Sequence, residues 1–228
     1  MVQVSIILPV RNEENLILPA IERLRESNSL LPTEIIVVDG GSSDRTVELA
    51  EEYADQVIRS PKGCRSFQMH LGAQQSKGAI LVFLHVDSRL PRHWQDILTR
   101  SLMESPKPPA ALSFRIRFDS ERFLFKLIAG LANFRCKFTK IPQGDQGLIV
   151  PRENYFSCGG FPDIPLMEEY LFLPQLRRLG KIEIVQEPTV TSARKYEAKG
   201  PIKNALKNSL LVLLFYLGVS PITLAEWY

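Results

Sequence analysis

The chain begins with short apolar runs separated by helical patterns. Val4-Ser5-Ile6-Ile7-Leu8 is almost continuously apolar and stops at Pro9, as a strand buried on both faces should. Leu16, Ala20, Ile21 and Leu24 then recur at helical spacing. Glu34-Ile35-Ile36-Val37-Val38 predicts a second strand, and Asp39-Gly40-Gly41-Ser42-Ser43-Asp44 the turn after it. Ser43 or Asp44 can cap the helix that carries Val47, Ala50 and Tyr53. A short strand near Val57 and Ile58 follows, then a helix around Gln68 to Ser76, then the strong strand Ala79-Ile80-Leu81-Val82-Phe83-Leu84.

This alternation predicts an α/β fold with a mostly parallel, Rossmann-like central sheet flanked by helices. Such sheets bind ligands beyond the carboxyl ends of their strands. The segments 9–14, 39–44 and 85–89 should therefore meet at one edge, bringing Arg11, Glu13, Asp39 and Asp87 together.

The second half is less regular. Lys107-Pro108-Pro109 marks a break, which suggests halves of 1–110 and 111–228 within one continuous domain. Ala111 to Phe118 alternates as a strand does, and Phe123 to Phe134 reads as an apolar-faced helix. Gly144-Asp145-Gln146-Gly147 is a tight turn before the strand Leu148-Ile149-Val150. Gly159-Gly160-Phe161-Pro162 is another turn. It leads to Glu168-Glu169 and a helix through Leu171, Leu173, Leu176 and Leu179 to Gly180, which Pro174 should bend or delay. The run Leu210 to Leu217 is far shorter than the ~20 residues a bilayer crossing needs. It reads as a buried core helix, or as a helix that rests on a membrane behind Lys199, Lys203 and Lys207.

Composition narrows the classes. The chain has 228 residues, 45% of them hydrophobic, enough for a substantial core. Net charge is only +3, and no basic run is interleaved with aromatics, so no nucleic-acid partner is expected. Cys64, Cys136 and Cys158 lack CxxC spacing, which fits a reducing compartment. Met1-Val2-Gln3-Val4-Ser5 enters a strand pattern directly and does not read as a signal peptide. The expected location is cytoplasmic, at the inner face of the membrane where the terminal apolar helix touches it.

Neither of two common nucleotide motifs occurs. There is no GxxxxGK[ST], and the first strand ends in Pro9-Val10-Arg11-Asn12-Glu13-Glu14 without GxGxxG. Asp39 could instead bond a ribose or base, with Gly40 and Gly41 allowing close approach, or could simply shape its turn. His85 and Asp87, two residues apart in extended chain, can face one ligand. An oxygen ligand such as Asp87 suits Mg2+ or Mn2+ shared with substrate phosphates, while a cap on the following turn is the plainer role. Glu168-Glu169 can be a solvated first helical turn or can supply a general base.

Together these stretches resemble the inverting glycosyltransferases of family 2, which have the GT-A fold. Residues 4–14 look like that family's opening strand and loop, and Glu34 to Thr46 like its second signature. His85-Val86-Asp87 stands where the family has its metal-binding DxD, and Glu168-Glu169 where it has the ED pair with the catalytic base. Residues 65–73 and the ending Tyr216-Leu217-Gly218-Val219-Ser220-Pro221 resemble a compact bacterial subgroup of about this length. The chain departs from the family at His85 and Glu169, and from the subgroup at His70.

The resemblance implies transfer of a sugar from a nucleotide diphosphate, UDP above all, to an acceptor hydroxyl with inversion. Pro9, Arg11, Glu13, Asp39, Gly40, Arg65 and Gln68 would hold the donor. Asp87 with His85 would hold Mg2+ or Mn2+, and Glu169, or Glu168 in its place, would take the acceptor proton. Either base is expected to be ionised at neutral pH unless burial raises its pKa. Arg194 and Lys195, in a predicted late loop, would close on the diphosphate. The acceptor could be a saccharide, a lipid carrier or a small molecule. The alternatives are a nucleotide-sugar-binding or membrane-docked protein with little turnover, and a nucleotidyltransferase.

Overall fold

The computed structural model describes residues 3–27 and 30–228. Met1 and Val2, at the head of the predicted first strand, and the side chain of Lys199 lie outside the described residues. The first half follows the predicted alternation. It runs β1 (Val4–Val10), α1 (Glu14–Ser27), β2 (Thr33–Asp39), α2 (Thr46–Tyr53), β3 (Gln56–Arg59), α3 (Arg65–Gln75) and β4 (Ile80–Phe83). A two-residue β5 (Ser88–Arg89) and α4 (Trp94–Leu98), which continues into a π-helical turn, complete it.

The second half holds β6 (Ala111–Phe118), α5 (Phe123–Thr139), β7 (Leu148–Pro151), α6 (Arg152–Ser157), α7 (Glu168–Leu176) and β8 (Ile182–Thr191). The chain ends in α8 (Arg194–Lys199), α9 (Pro201–Tyr216) and α10 (Pro221–Trp227). Among the described residues all eight strands join one sheet, ordered β3-β2-β1-β4-β7-β6-β8-β5.

β3, β2, β1 and β4 are mutually parallel, and β1, β2 and β4 are the near-continuous apolar runs, buried on both faces, that such a sheet favours. Beyond β4 the sheet becomes mixed. β7 runs antiparallel to β4 and β6, β8 returns parallel to β6, and β5 is antiparallel to β8. Odd and even positions of β1 feed different faces. Ile6 and Leu8 pack with Ile17, Ile21 and Trp94, while Ile7 packs with Met69, Phe83, Tyr155 and Phe172.

Five features differ from the pattern reading. β1 does not stop at Pro9 but carries it in the ladder and ends at Val10. β8 escapes it because Glu183, Gln186, Glu187 and Pro188 break any alternation. The ladder absorbs them in a bulge, where Phe114 pairs with Val185 and Arg115 with Pro188. α7 stops at Leu176 and does not reach Gly180; Pro174 lies inside it and removes one helical N–H near its end. Arg194 and Lys195 open a short helix, not a loop. Finally, α9 is no buried core helix. Only Asn204 and Leu211 are buried on it, and Leu206, Leu210 and Leu213 face solvent. Among the described residues no helix is long and apolar enough to cross a membrane.

Candidate active site

The carboxyl ends of β1, β2 and β4 do lie together, and the predicted site residues fall into three groups around them. The first group sits on the edge of β1 and β2. Pro9 is in register with Val38. Gln68, buried on α3, donates its amide N–H to the carbonyls of Val10 (3.0 Å) and Val38 (2.7 Å), stitching the two strand ends. It lies directly under Gly40, where a Cβ would come within 2.9 Å of its Nε2. The Asp39 carboxylate accepts the N–H groups of Gly41 (3.0 Å) and Ser42 (3.1 Å) and the Ser42 hydroxyl. Asp39 therefore holds the shape of its own loop. Arg11 is exposed, with Nη1 about one contact distance from where a Cβ on Gly63 would stand (3.1 Å). None of these side chains lines the cavity described below.

The second group is an ion cluster. Glu13 precedes α1, Asp87 follows β4, and α8 brings two cations between them. Lys195 Nζ is 3.0 Å from Asp87 and 3.2 Å from Glu13, and Arg194 Nη2 is 2.7 Å from Glu13. Burial works against the charges on Asp87 and Lys195. Even so, Asp87 is held below the usual carboxylate range, mainly by Lys195, and Lys195 is raised, mainly by Asp87 and Glu13.

The third group surrounds the acidic pair. Met167 caps α7 in the left-handed region (φ 68°, ψ 23°), a conformation a non-glycine residue adopts only where its surroundings enforce it. This turn aims the two glutamates apart. Glu168 is 1% exposed, and its Oε1 accepts from Arg65 Nε at 2.9 Å. Glu169 Oε1 accepts the Gly144 N–H at 3.0 Å and opens on the cavity. Burial, reinforced by Glu168 and only partly offset by Arg65, pushes Glu169 up to about 7. The expectation of a base ionised without any special shift is thus corrected by the desolvation of this carboxylate. For Arg65, burial opposes the charge but Glu168 and Glu169 raise its pKa.

His85 lies beside this group. Burial and Arg65 push it down to about 3, so its imidazole is neutral, and its buried Nε2 lacks a hydrogen-bond partner among the described residues. A Cβ on Gly144 would collide with that nitrogen. Among the described residues no three His, Cys, Asp or Glu side chains converge on a metal position. Asp87 and an unprotonated His85 offer one oxygen and one nitrogen. That donor set fits a divalent cation that takes its remaining ligands from a diphosphate and water.

A cavity of about 450 Å3 joins the second and third groups, lined by Arg65, His85, Asp87, Glu169 and Lys195. That volume suits a small ligand or one end of a larger one. Its far wall comes from α9 (Asn204, Asn208, Leu211) and from Tyr170 and Tyr196. Asp145, read in sequence only as part of a turn, also faces it. Burial and then Asp87 raise its carboxyl to about 6, and its Oδ1 has no partner among the described residues. A lone acid between glycines just before an apolar strand was the available signal. His70 lies elsewhere, its Nδ1 3.1 Å from the Tyr155 hydroxyl.

The family model for glycosyl transferase family 2 matches residues 5–160. The undecaprenyl-phosphate 4-deoxy-4-formamido-L-arabinose transferase of Pectobacterium carotovorum is 36% identical over 97 residues, which are 39% of this chain and 30% of that protein. A mannosyltransferase of Pyrobaculum calidifontis, solved with GDP-Man and Mn2+, superposes at TM-score 0.63 and 20% identity over 83% of this chain and 56% of its own. TarS of S. aureus, solved with UDP-GlcNAc, superposes at TM-score 0.66 and 17% identity over 83% of this chain and 58% of its own. The chain thus spans less than two thirds of the length of each, and the structural likenesses bear on the GT-A fold alone.

Proposed function

The chain belongs to glycosyl transferase family 2, and from that premise we propose that it moves a sugar from a UDP-sugar to an acceptor hydroxyl with inversion. The observation that carries the reading is that Asp87 and Glu169, 82 residues apart in sequence, open on the same cavity at the strand ends. Glu169 takes the acceptor proton while the acceptor oxygen bonds to the anomeric carbon. The bond from that carbon to the diphosphate breaks, and its electron pair leaves on UDP. A base with a pKa near the working pH combines availability with driving force.

The other residues hold the reactants. Arg65, pinned by Glu168, and Lys195 with Arg194 face the side where the diphosphate charge grows. Arg11, Glu13, Asp39 and its loop, and the Pro9 and Gly40 edge beside Gln68 bind the nucleotide. A divalent ion at Asp87 and His85 would offset charge on the leaving group. The Mn2+ of the Pyrobaculum enzyme supports that cofactor, and the UDP-GlcNAc of TarS supports the donor. Leu166, Leu211 and Val212 in the cavity wall favour a lipid carrier over a saccharide or small-molecule acceptor. The Pectobacterium relative's name contains such a carrier. A cytoplasmic location, where nucleotide sugars are made, goes with this reading.

A thermal-shift panel of UDP-, GDP- and dTDP-sugars, each with and without Mn2+, tests the donor. A ligand at about 100 times its Kd adds about 2.7 kcal/mol of apparent stability. Stabilisation by a UDP-sugar is expected. No shift with any of them would overturn the assignment, and a shift only with GDP-sugars would overturn the choice of UDP.

A further inference from the structure

Two helices of the second half turn apolar side chains to water. On α5 the exposed positions are Phe123, Leu127, Leu131, Phe134 and Phe138, with Phe123 78% and Phe138 66% exposed. On α9 they are Ile202, Leu206, Leu210, Leu213 and Tyr216, with Leu206 66% exposed. Both sets step by three or four residues, so each forms one continuous stripe. The opposite faces are engaged. Phe125, Ala129 and Cys136 of α5 and Leu211 of α9 are buried, and the two helices contact each other. Single exposed leucines are ordinary on a protein surface, but two adjoining stripes are not.

Charge narrows what covers them. α5 and α9 carry Lys126, Arg135, Lys137, Lys203 and Lys207, the last donating to the Tyr228 carbonyl at 2.8 Å, and no acidic side chain. Lys126 reaches Glu121 at 2.8 Å in the preceding loop, an exposed pair of little energetic weight. A second copy related by a two-fold axis would bring this cationic surface against itself. An anionic bilayer instead satisfies both features: apolar side chains enter the acyl boundary, and lysine stems extend toward headgroup phosphates. Tyr216 and Trp227, both more than half exposed at the C-terminal end of the same region, have the amphipathic rings that suit the headgroup level.

We propose that the exposed stripes of α5 and α9 together form a docking surface for an anionic lipid bilayer. The surface includes a whole helix, α5, beyond the terminal apolar run, and it stands independently of the transfer reaction. No residue of either stripe lines the cavity, so docking can be read apart from turnover measured without vesicles.

The test is co-sedimentation of the full chain with vesicles of phosphatidylcholine alone and of phosphatidylcholine mixed with phosphatidylglycerol. UDP release from the donor is assayed separately without vesicles, and size-exclusion chromatography reports the oligomeric state. The wild type should sediment with the anionic vesicles and be released by salt. Leu131→Glu on α5 and Leu206→Glu on α9 should each lower the partition coefficient about tenfold or more. Lys137→Gln and Lys203→Gln should each lower it about fivefold. UDP release without vesicles should stay unchanged in all four variants. Three results would overturn the proposal: wild type remaining in the supernatant, either glutamate variant sedimenting like the wild type, or a dimer that these variants dissociate without any vesicle binding.

Discussion

Replacing Glu169 with glutamine should abolish transfer and yet stabilise the protein. Burial and the adjacent Glu168 raise this carboxyl from 4.5 to about 7. At pH 8 the folded chain holds it ionised in a site that disfavours the charge. A rise of that size corresponds to about 3 kcal/mol at ~1.4 kcal/mol per pH unit. The sign follows from proton linkage. Between pH 4.5 and 7 the folded state binds the proton more tightly than the unfolded chain, so wild-type stability falls as pH rises through that window. Glutamine has no proton to lose, and its carbonyl can still accept the Gly144 N–H. The variant should therefore match the wild type below pH 4.5 and exceed it by up to about 3 kcal/mol at pH 8. In a chain of this length that is roughly 6–12 °C in Tm. Urea unfolding at pH 4.5 and pH 8, read from midpoints at fixed slope, measures the gap, and a coupled assay for UDP measures turnover. The reasoning is refuted if the variant is no more stable than the wild type at pH 8, or if it turns over donor and acceptor as fast.

Three further outcomes are expected. Gln68→Ala should cost about 2 kcal/mol of stability, because it removes both hydrogen bonds that stitch the strand ends and leaves the Val10 carbonyl with the Gly40 N–H alone; denaturant midpoints check this. Gly144→Ala should displace the His85 imidazole and crowd Glu169, cutting kcat at least tenfold while circular dichroism shows the fold retained. Arg65→Met should destabilise by about 3 kcal/mol, since it strands the buried Glu168 carboxylate, and Arg65→Lys should recover part of that loss in thermal melts.

The parts legible in sequence are those where one physical demand dominates. β1, β2 and β4 must be apolar on both faces, so their presence and the convergence of their carboxyl ends could be read directly, although β1 runs through Pro9 to Val10. His85 and the Glu168-Glu169 pair were visible as candidates in their spacing and context, and the likeness to a known family gave them their expected roles. β8 was hidden because a bulge, not alternation, accommodates Gln186, Glu187 and Pro188. The run Leu210 to Leu217 was legible as an apolar helix, but which side a helix buries depends on its neighbours. The pairing of Lys195 with Asp87 and Glu13 is set by the tertiary path of the chain, and Asp145 gains its raised pKa only from burial and the nearby Asp87. Gln68, expected at the nucleotide, instead uses its amide on two backbone carbonyls, a role that only atomic distances reveal.

Gly200, at φ 82°, is both the end of α8 and the cap of α9, so no loop separates the Arg194 and Lys195 cations from the lysine-bearing helix. Proline at the first position of α9 further restricts that joint. A bilayer that holds α9 in place would thus act as an effector of the donor site by fixing where those two cations stand. Reciprocity then sets a quantitative demand: the factor by which vesicles tighten donor binding must equal the factor by which saturating donor tightens vesicle binding. Through one glycine, the lipid surface and the nucleotide would share a single equilibrium.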